Sequence, residues 1–535
     1  MKILTALQVF ILLLLMKAPV FAQAIPPYSV TVNTGNADGY FYLCPFKMGA
    51  NPLGITPSLM IIDSDGELVY YRTFIMGSYA GDFKIHDNGL MSYNRLGQFF
   101  LMDSTFTIVD SVSCQNGVNT DTHDLQILPD GNFLLMGIED IIMDLSSYFV
   151  FGPSMNPGST TATVKSIIVQ ELDTAKNVVF QWHASSHFNF IDVDPAWLYN
   201  PNLVDWTHSN SVEQDADSNI LISSRHFNEI TKINRQTGNI MWRMGGSANQ
   251  FNFVNDPMML KRQHDARWLP NGNLSVFDNG DGLSGNYFHH ASAKEYQIDE
   301  PGMSATLVWS YTDDSTEHSQ SMGNFQRNPG GLSLINYGNS ATQNKLFSLV
   351  NESGIKEFEI VFPDDLCSYR AFYYESLPWN VNRPQITCSE VTGQAYLDAG
   401  AGFASYEWSN GAVTQTIPIT ATGLYYVTVP LVQGGVMRSK SFQVFDLADP
   451  CGLSGIEELN TTIISARPNP VSDMLHIYIQ SNQSSALPVN LYNTAGQLVY
   501  SAAGSNEFHI PVYDLENGIY YIRYQESVLK VVVAK

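Results

Sequence analysis

One turn-forming segment occurs twice in this chain, each time with a histidine at the same distance before it. His123-Asp124 is followed after three residues by Leu128-Pro129-Asp130-Gly131-Asn132, and His264-Asp265, at the same spacing, by Leu269-Pro270-Asn271-Gly272-Asn273. A Pro-[Asp/Asn]-Gly-Asn segment between apolar stretches joins two antiparallel strands. Each copy therefore sets a histidine at a matching point on a strand. Repetition of that device favours a radial all-β architecture, in which such points lie near the central channel.

A second strand-turn-strand unit recurs between about residues 27 and 378. It reads Ile62-Asp63-Ser64-Asp65-Gly66-Glu67-Leu68-Val69-Tyr70 in one place and Ile233-Asn234-Arg235-Gln236-Thr237-Gly238-Asn239-Ile240-Met241-Trp242 in another. Interleaved turns fall at Asn88-Gly89, Gly131-Asn132, Asp217-Ser218, Gly272-Asn273 and Gly330-Gly331. A blade of about 40 to 50 residues fits that spacing, and some 350 residues then make about six blades with inserted loops. The richness in Tyr (27), Phe (29) and Trp (8) also favours strands. A pair of β-sandwiches is the alternative, but it accounts for the matched histidines less well.

Pro378-Trp379 to Pro384 is a Pro/Asn-rich break, read as a linker. Residues 395–445 follow as a small β-sandwich. Ser405-Tyr406-Glu407-Trp408-Ser409-Asn410-Gly411 carries a core Trp into a turn, and Gly423 to Val429 forms a later strand. Leu453 to Glu457 is another break, and a third small all-β unit runs from Arg467-Pro468-Asn469-Pro470 to Lys535. The fold class expected is all-β: a six-bladed propeller at 23–378, an Ig-like sandwich at 379–452, a linker at 453–462 and a small C-terminal sandwich at 463–535.

Met1 to Ala22 reads as a secretory signal: Lys2, the apolar run in Val9 to Met16, and Val20-Phe21-Ala22 as the cleavage site. No later stretch reaches about 18 uninterrupted apolar residues, so no integral membrane span is expected in the mature chain. The net charge of −24 arises without any basic block, which argues against nucleic acid as a partner. Any anionic substrate must be drawn in by local cations. The five cysteines make an odd count. Cys388 and Cys451 bracket the middle module and could close it, and unpaired buried cysteines are the alternative.

The residues that could carry chemistry centre on the histidines. Asp205-Trp206-Thr207-His208-Ser209-Asn210 precedes Ser223-Ser224-Arg225-His226, so His208 also lies upstream of its own turn. If it takes the equivalent point on its blade, three imidazoles converge: His123, His208 and His264. Asn210, two residues on, would face the same way as His208 in a strand. Arg225, at the far end of the returning strand, could reach the same mouth. The other histidines, His226 among them, show no matching placement. Three imidazoles could hold a metal, or act as nucleophile and acid/base groups without one. A metal site usually recruits a carboxylate or sulfur ligand. Here the extra partners are Asn and Arg, donors that suit an oxyanion, which favours the metal-free reading.

The stretches HDLQILPDGN, DWTHSNSV, NILISSRH, GNIMWRMGG and RQHDARWLPNGNLSVFDNG resemble, in order, the bacterial arylsulfate sulfotransferases. The segment GNFQRNPGGLSLINYG and Tyr369-Arg370-Ala371 resemble the close of that domain, so the likeness spans roughly residues 27 to 378. It implies a six-bladed propeller that moves a sulfuryl group from a phenolic sulfate ester to a phenol acceptor. No nucleotide donor, other cofactor or metal is implied. By the same resemblance His264 is the nucleophile that becomes a sulfohistidine and His123 the general acid/base. His208, Asn210 and Arg225 would hold the sulfuryl oxygens. Enterobacterial members carry an extra amino-terminal β-domain, whereas here propeller-like strands are expected to begin soon after the signal, with short loops between the histidine segments.

Residues 463–535 resemble the type A sorting domain of the type IX secretion system. Pro468-Asn469-Pro470, Tyr492-Asn493-Thr494-Ala495-Gly496 and Gly518-Ile519-Tyr520-Tyr521-Ile522 carry that resemblance. It implies the type IX machinery as a partner, and a secreted or surface-attached product. The middle module resembles the Ig-like spacers that precede such domains. Two other readings stand beside the transferase: a non-catalytic propeller serving as adhesin or glycan-binding module, and a metal-dependent hydrolase or lyase.

Overall fold

A computed structural model describes residues 25–535 except 49–54, 75–78, 149–156, 285–286, 314–317, 341–344, 364–365, 453–462, 481–486, 505–506 and 525–526. The expected signal peptide at 1–22 and linker at 453–462 lie outside the described residues. Among the described residues the chain is all-β, with helical structure confined to three-residue 3-10 turns.

Among the described residues of 29–374 there are six sheets, each built around four antiparallel strands, and one two-stranded hairpin, Gly282–Ser284 with Tyr287–His289. Their innermost strands are Gly81–Ile85, Asn119–Ile127, Ser209–Gln214, His264–Trp268, Asn324–Arg327 and Leu366–Tyr374. Each touches the next, and the last touches the first, so they close a ring around an axis. The ring is stitched twice. Leu366–Tyr374, late in sequence, pairs with the early strand Tyr40–Lys47, from Tyr40↔Tyr374 to Lys47↔Leu366. Ser29–Asn33 adds an outer strand to the last sheet by pairing with Lys356–Val361. Closure of this kind satisfies edge strands that would otherwise be open to pairing with other chains.

The repeated segments form the same turn in two sheets. Leu128 N–H donates to Asn132 O at 2.8 Å, and Leu269 N–H to Asn273 O at 2.8 Å. Gly131 and Gly272 sit at φ +88° and +83°, a conformation that penalises any residue with a Cβ. Core forms where adjacent sheets face each other. Trp182 and Trp206 pack with Ile220 and Ile222 in one cluster, and Trp242 packs with Phe251, Leu274 and Val276 in another. A buried aromatic ring removes about 150–250 Å² from water, a contribution of about 4–6 kcal/mol before entropy is counted.

The middle module does not stand apart from the ring. Val436–Arg438 pairs with Leu68–Thr73, so the first sheet continues through the module as seven strands. The break at 378–384 is packed: Arg383 is buried and pairs with Asp63 at 2.7 Å. Trp408 is a core residue, as expected, and its indole N–H donates to Thr414 O at 2.8 Å. Cys388 and Cys451 are disulfide-bonded, while Cys44, Cys114 and Cys367 are buried outside that disulfide, so each reading holds for some of the five. Residues 463–533 form two further sheets around Val471, Leu475, Ile477, Val489, Leu491 and Ile522. Among the described residues no helix is long and apolar enough to cross a membrane.

Candidate active site in the central channel

Five of the six inner strands share a defect in their pairing. Pairing is interrupted between Gly81 and Lys84, between Asp121 and Leu125, between Ser209 and Ser211, and between His264 and Arg267. It is interrupted again opposite Cys44 at Tyr369-Arg370. Bulges re-aim side chains, and these bulges carry the polar residues of the axis: Asp82, His123, Asp124, Asn210, Asp265, Tyr369 and Arg370. Asp82 and Asp265 take left-handed backbone (φ +53° and +57°) within their bulges, and His208 does so (φ +44°) just before its own. Asn210 thus reaches the site through a bulge, not through the simple strand alternation with His208 that its spacing suggested.

In both His-Asp pairs the two side chains part company. The aspartates turn into a buried cluster of three carboxylates and three cations. Asp124 meets Lys84 (2.7 Å), Arg267 (2.7 Å) and Arg370 (3.1 Å). Asp265 meets Arg267 (2.8 Å) and Arg370 (3.3 Å), and Asp82 meets Lys84 (2.9 Å) and Arg370 (2.8 Å). Burial alone would raise the Asp124 pKa, but Arg267, Lys84 and Arg370 outweigh it and hold the carboxyl well below its ordinary range. The cluster ties four inner strands together. Arg370 also donates to Asn210 O at 2.7 Å, which fixes the Asn210 backbone.

The histidines face away from that cluster. His264 is 1% exposed. Its Nδ1 lies 2.6 Å from Asn279 Oδ1 and 3.1 Å from Arg262 O. Asn279 donates its own amide to Ser319 Oγ (3.0 Å) and Met322 O (2.8 Å), which turns its carbonyl toward His264. Two acceptors at Nδ1 place the proton there and the lone pair on Nε2. That lone pair accepts the Met322 N–H at 3.2 Å. Burial, then the Arg225 charge, push the His264 pKa well down.

His123 has the opposite setting. Its Nδ1 meets the Asp121 carboxylate at 2.5 Å. Burial pulls its pKa down, but the charge and hydrogen bond of Asp121 outweigh that, and the net shift is upward. The His123 ring lies 5.1 Å from that of His208, edge to face, and 5.6 Å from that of Tyr369. His208 Nδ1 bonds Asp205 at 2.5 Å.

Sequence reasoning passed over His226, which the fold brings into the same group. Its ring stacks on His208 (4.5 Å) and on Trp197 (4.0 Å), so that Trp197, His226 and His208 form one column. Its Nδ1 donates to Asp205 O at 2.6 Å, and Arg225 Nη1 lies 3.1 Å from its Nε2. Burial, then His208, lower its pKa to about 2, so it stays neutral. Asp121, Asp205 and Asn279 were also passed over. The two carboxylates were visible as acids two and three residues before a histidine. Asn279 and Trp197 left no local signal.

Asn210 donates to Gln263 O at 2.7 Å, and its Oδ1 is buried without a hydrogen-bond partner. Arg225 Nη2 donates to Gln320 O at 2.6 Å. Arg225, His208 and His123 are thus close enough to act electrostatically on His264, and Asn210 is bonded to the residue before it. Ligand atoms of Asp205, His208 and His226 lie within 4.8 Å of one another, a spacing that could hold a metal ion. The Arg225 guanidinium against His226 Nε2 opposes a cation there, and the carboxylate is already bonded to His208. The donor set suits protons and anions better than a metal.

Residues 40–372, more than half of the chain, match the family model "Arylsulfotransferase (ASST)", and residues 465–535 match the model "Secretion system C-terminal sorting domain". No curated protein matches the chain. Among solved structures, a Bacteroides caccae protein of unknown function is similar at 10% identity and TM-score 0.40, over 64% of this chain and 100% of that one. Virginiamycin B lyase from Staphylococcus aureus is similar at 10% identity and TM-score 0.30, over 69% and 97%. The Cps50 (Swd1) β-propeller domain of Myceliophteria thermophila is similar at 9% identity and TM-score 0.31, over 70% and 96%. At those levels no function is taken from them. The sorting domain marks a protein that is secreted or attached to the cell surface through type IX secretion. The ring matches a family of sulfotransferases, and no match supports the non-catalytic reading. The chain belongs to the arylsulfotransferase family.

Proposed function

We propose that this protein transfers a sulfuryl group from a phenolic sulfate ester to a phenol through a covalent intermediate on His264. The observation that carries the reading is the opposite proton affinity of two imidazoles in one channel: His264 neutral and beside Arg225, His123 proton-holding and beside Asp121.

The donor displaces the Met322 N–H from Nε2 of His264. That nitrogen attacks sulfur, an N–S bond forms and the S–O bond to the aryl group breaks. Sulfuryl transfer is a loose in-line displacement with charge on the peripheral oxygens, like phosphoryl transfer. Arg225, His208 and Asn210 hold those oxygens, and one such donor is worth about 3 kcal/mol. His123 gives its proton to the departing phenolate. In the second half-reaction a phenol returns that proton to His123, attacks sulfur and releases His264. The proton on His264 Nδ1 stays there throughout, donated to Asn279 Oδ1. No metal or nucleotide enters. Ping-pong kinetics follow.

The division of the chain that accompanies this reading is a signal at 1–22, the catalytic ring at 23–378, an Ig-like module at 379–452, a linker at 453–462 and a sorting domain at 463–535. The test is incubation with p-nitrophenyl sulfate and phenol. Nitrophenol release should depend on the acceptor, resist chelators and vanish in His264→Ala. Release that requires added metal would contradict the reading, as would no turnover of any sulfate ester.

A further inference from the structure

Arg225 and Arg262 are set apart from the other cations around the channel. Lys84, Arg267, Arg370, Lys294 and Arg243 each pair with at least one carboxylate. Among the described residues no carboxylate lies within ion-pair distance of either Arg225 or Arg262. The nearby Asp205 carboxylate is bonded to His208 instead. Both guanidinium groups gather on one indole: Arg225 lies 4.4 Å from the Trp197 ring centre and Arg262 lies 5.4 Å from it.

Two further donors there have no partner. Arg225 is 5% exposed and its Nε is buried without a hydrogen bond; the Trp197 indole N–H is likewise buried and unbonded. Buried donors without partners are uncommon, and each costs about 1–3 kcal/mol. Like charges side by side add to that cost, and burial and Arg262 lower the Arg225 pKa to about 10. An arriving anion would relieve both. His226, stacked on Trp197 and accepting from Arg225 Nη1, keeps the indole and the guanidinium in place. Arg262 is only two residues from His264, and its carbonyl accepts from His264 Nδ1 at 3.1 Å.

The sulfuryl group brings one negative charge and, on the reading above, occupies Arg225. That leaves Arg262 and the indole N–H unmatched. We propose that Arg262 and Trp197 form an anion subsite for a second acidic group, a carboxylate or a further sulfate, on the aryl part of the donor. The preferred donor is then a dianion. In a chain of net charge −24, two unpaired arginines beside the nucleophile are also what draws such a molecule in.

This inference rests on the sulfotransferase reading for its substrate but is tested separately from it. The probes are 4-carboxyphenyl sulfate and its methyl ester, which differ in charge at one position. In the wild-type protein the acid should have the lower KM, by about tenfold. Arg262→Gln should remove that preference by raising KM for the acid about tenfold more than KM for the methyl ester, and Arg262→Lys should keep part of it. Binding of both esters to His264→Ala, measured by calorimetry, reads the same preference where no transfer takes place. Equal binding of acid and ester overturns the subsite even if transfer is robust. An equal loss with both esters in Arg262→Gln also overturns it, because Arg262 then serves the sulfuryl group. A charge preference in binding without any turnover keeps the subsite and discards the transferase reading.

Discussion

The two copies of the His-Asp turn segment have nearly the same sequence, the same hairpin turn and an interruption of pairing at the His-Asp pair, yet their histidines differ chemically. His123 Nδ1 meets a carboxylate, and the His123 side chain is 26% exposed. His264 Nδ1 meets an amide, and His264 is 1% exposed. The first is shifted toward holding a proton, the second toward losing it. The motif thus fixes where an imidazole sits. A neighbour elsewhere in the chain decides what it does: Asp121 from two residues earlier on the same strand, Asn279 from just past the end of the next strand of the sheet. Enzymes that need an acid and a nucleophile at one pH separate them by environment in this way.

The comparison can be broken at its strongest point first. His264→Ala should lower kcat for transfer about a thousandfold or more. His123→Ala should lower it far less with p-nitrophenyl sulfate, whose leaving group needs little help, than with phenyl sulfate. Equal losses for both histidines and both donors would erase the distinction between them.

The aspartates of the two copies can be compared by stability. Asp124 faces three cations and Asp265 two. Breaking a buried pair costs about 3–5 kcal/mol, so Asp124→Asn should approach the upper figure and Asp265→Asn should fall below it in denaturant titrations. The folded Asp124 pKa is depressed. Its contribution is therefore present above the ordinary carboxylate range and lost as pH falls through the depressed value. The stability gap between wild type and Asp124→Asn should narrow only in strong acid. A larger effect at Asp265 would contradict the geometry.

Exchanging the partners sharpens the comparison further. Asn279→Asp gives His264 a carboxylate like that of His123. Its pKa should rise, kcat at pH 7 should fall about tenfold or more, and part of the loss should return as pH increases. A pH profile unchanged from wild type would show that Asn279 does not set the proton affinity of His264. The smallest effect is expected from Asp121→Asn. His123 then holds its proton less well, so the alkaline fall of kcat with phenyl sulfate should move to lower pH by about one unit. A shift to higher pH would reverse the assignment.

The ring was legible because its turns are local. The Pro-x-Gly-Asn turns, with the other Gly and Asn turns, lie between the first and second strands of five sheets, and the Ile62 and Ile233 units between the third and fourth strands of two. Closure by Leu366–Tyr374 was not legible, since it pairs residues more than 300 apart. His123, His208, Asn210, Arg225 and His264 were legible as a group because motif order carries them. Their partners were not. Asn279 reaches His264 across a strand pair, and Trp197 comes from an inserted loop with no periodic pattern. His226 was set aside because it lies after a turn and not before one, yet stacking brings it between Trp197 and His208. The Pro/Asn-rich stretch at 378–384 read as a linker because composition cannot reveal that Arg383 finds Asp63.

The central claim is that His264, and not His123, takes the sulfuryl group. Treating the protein with p-nitrophenyl sulfate alone, without acceptor, and mapping the peptides by mass spectrometry under non-acidic conditions tests it most directly. The expected result is one sulfuryl adduct on the peptide that contains His264, discharged on adding phenol. An adduct on the peptide containing His123, or transfer at full rate with no adduct on either, would contradict it.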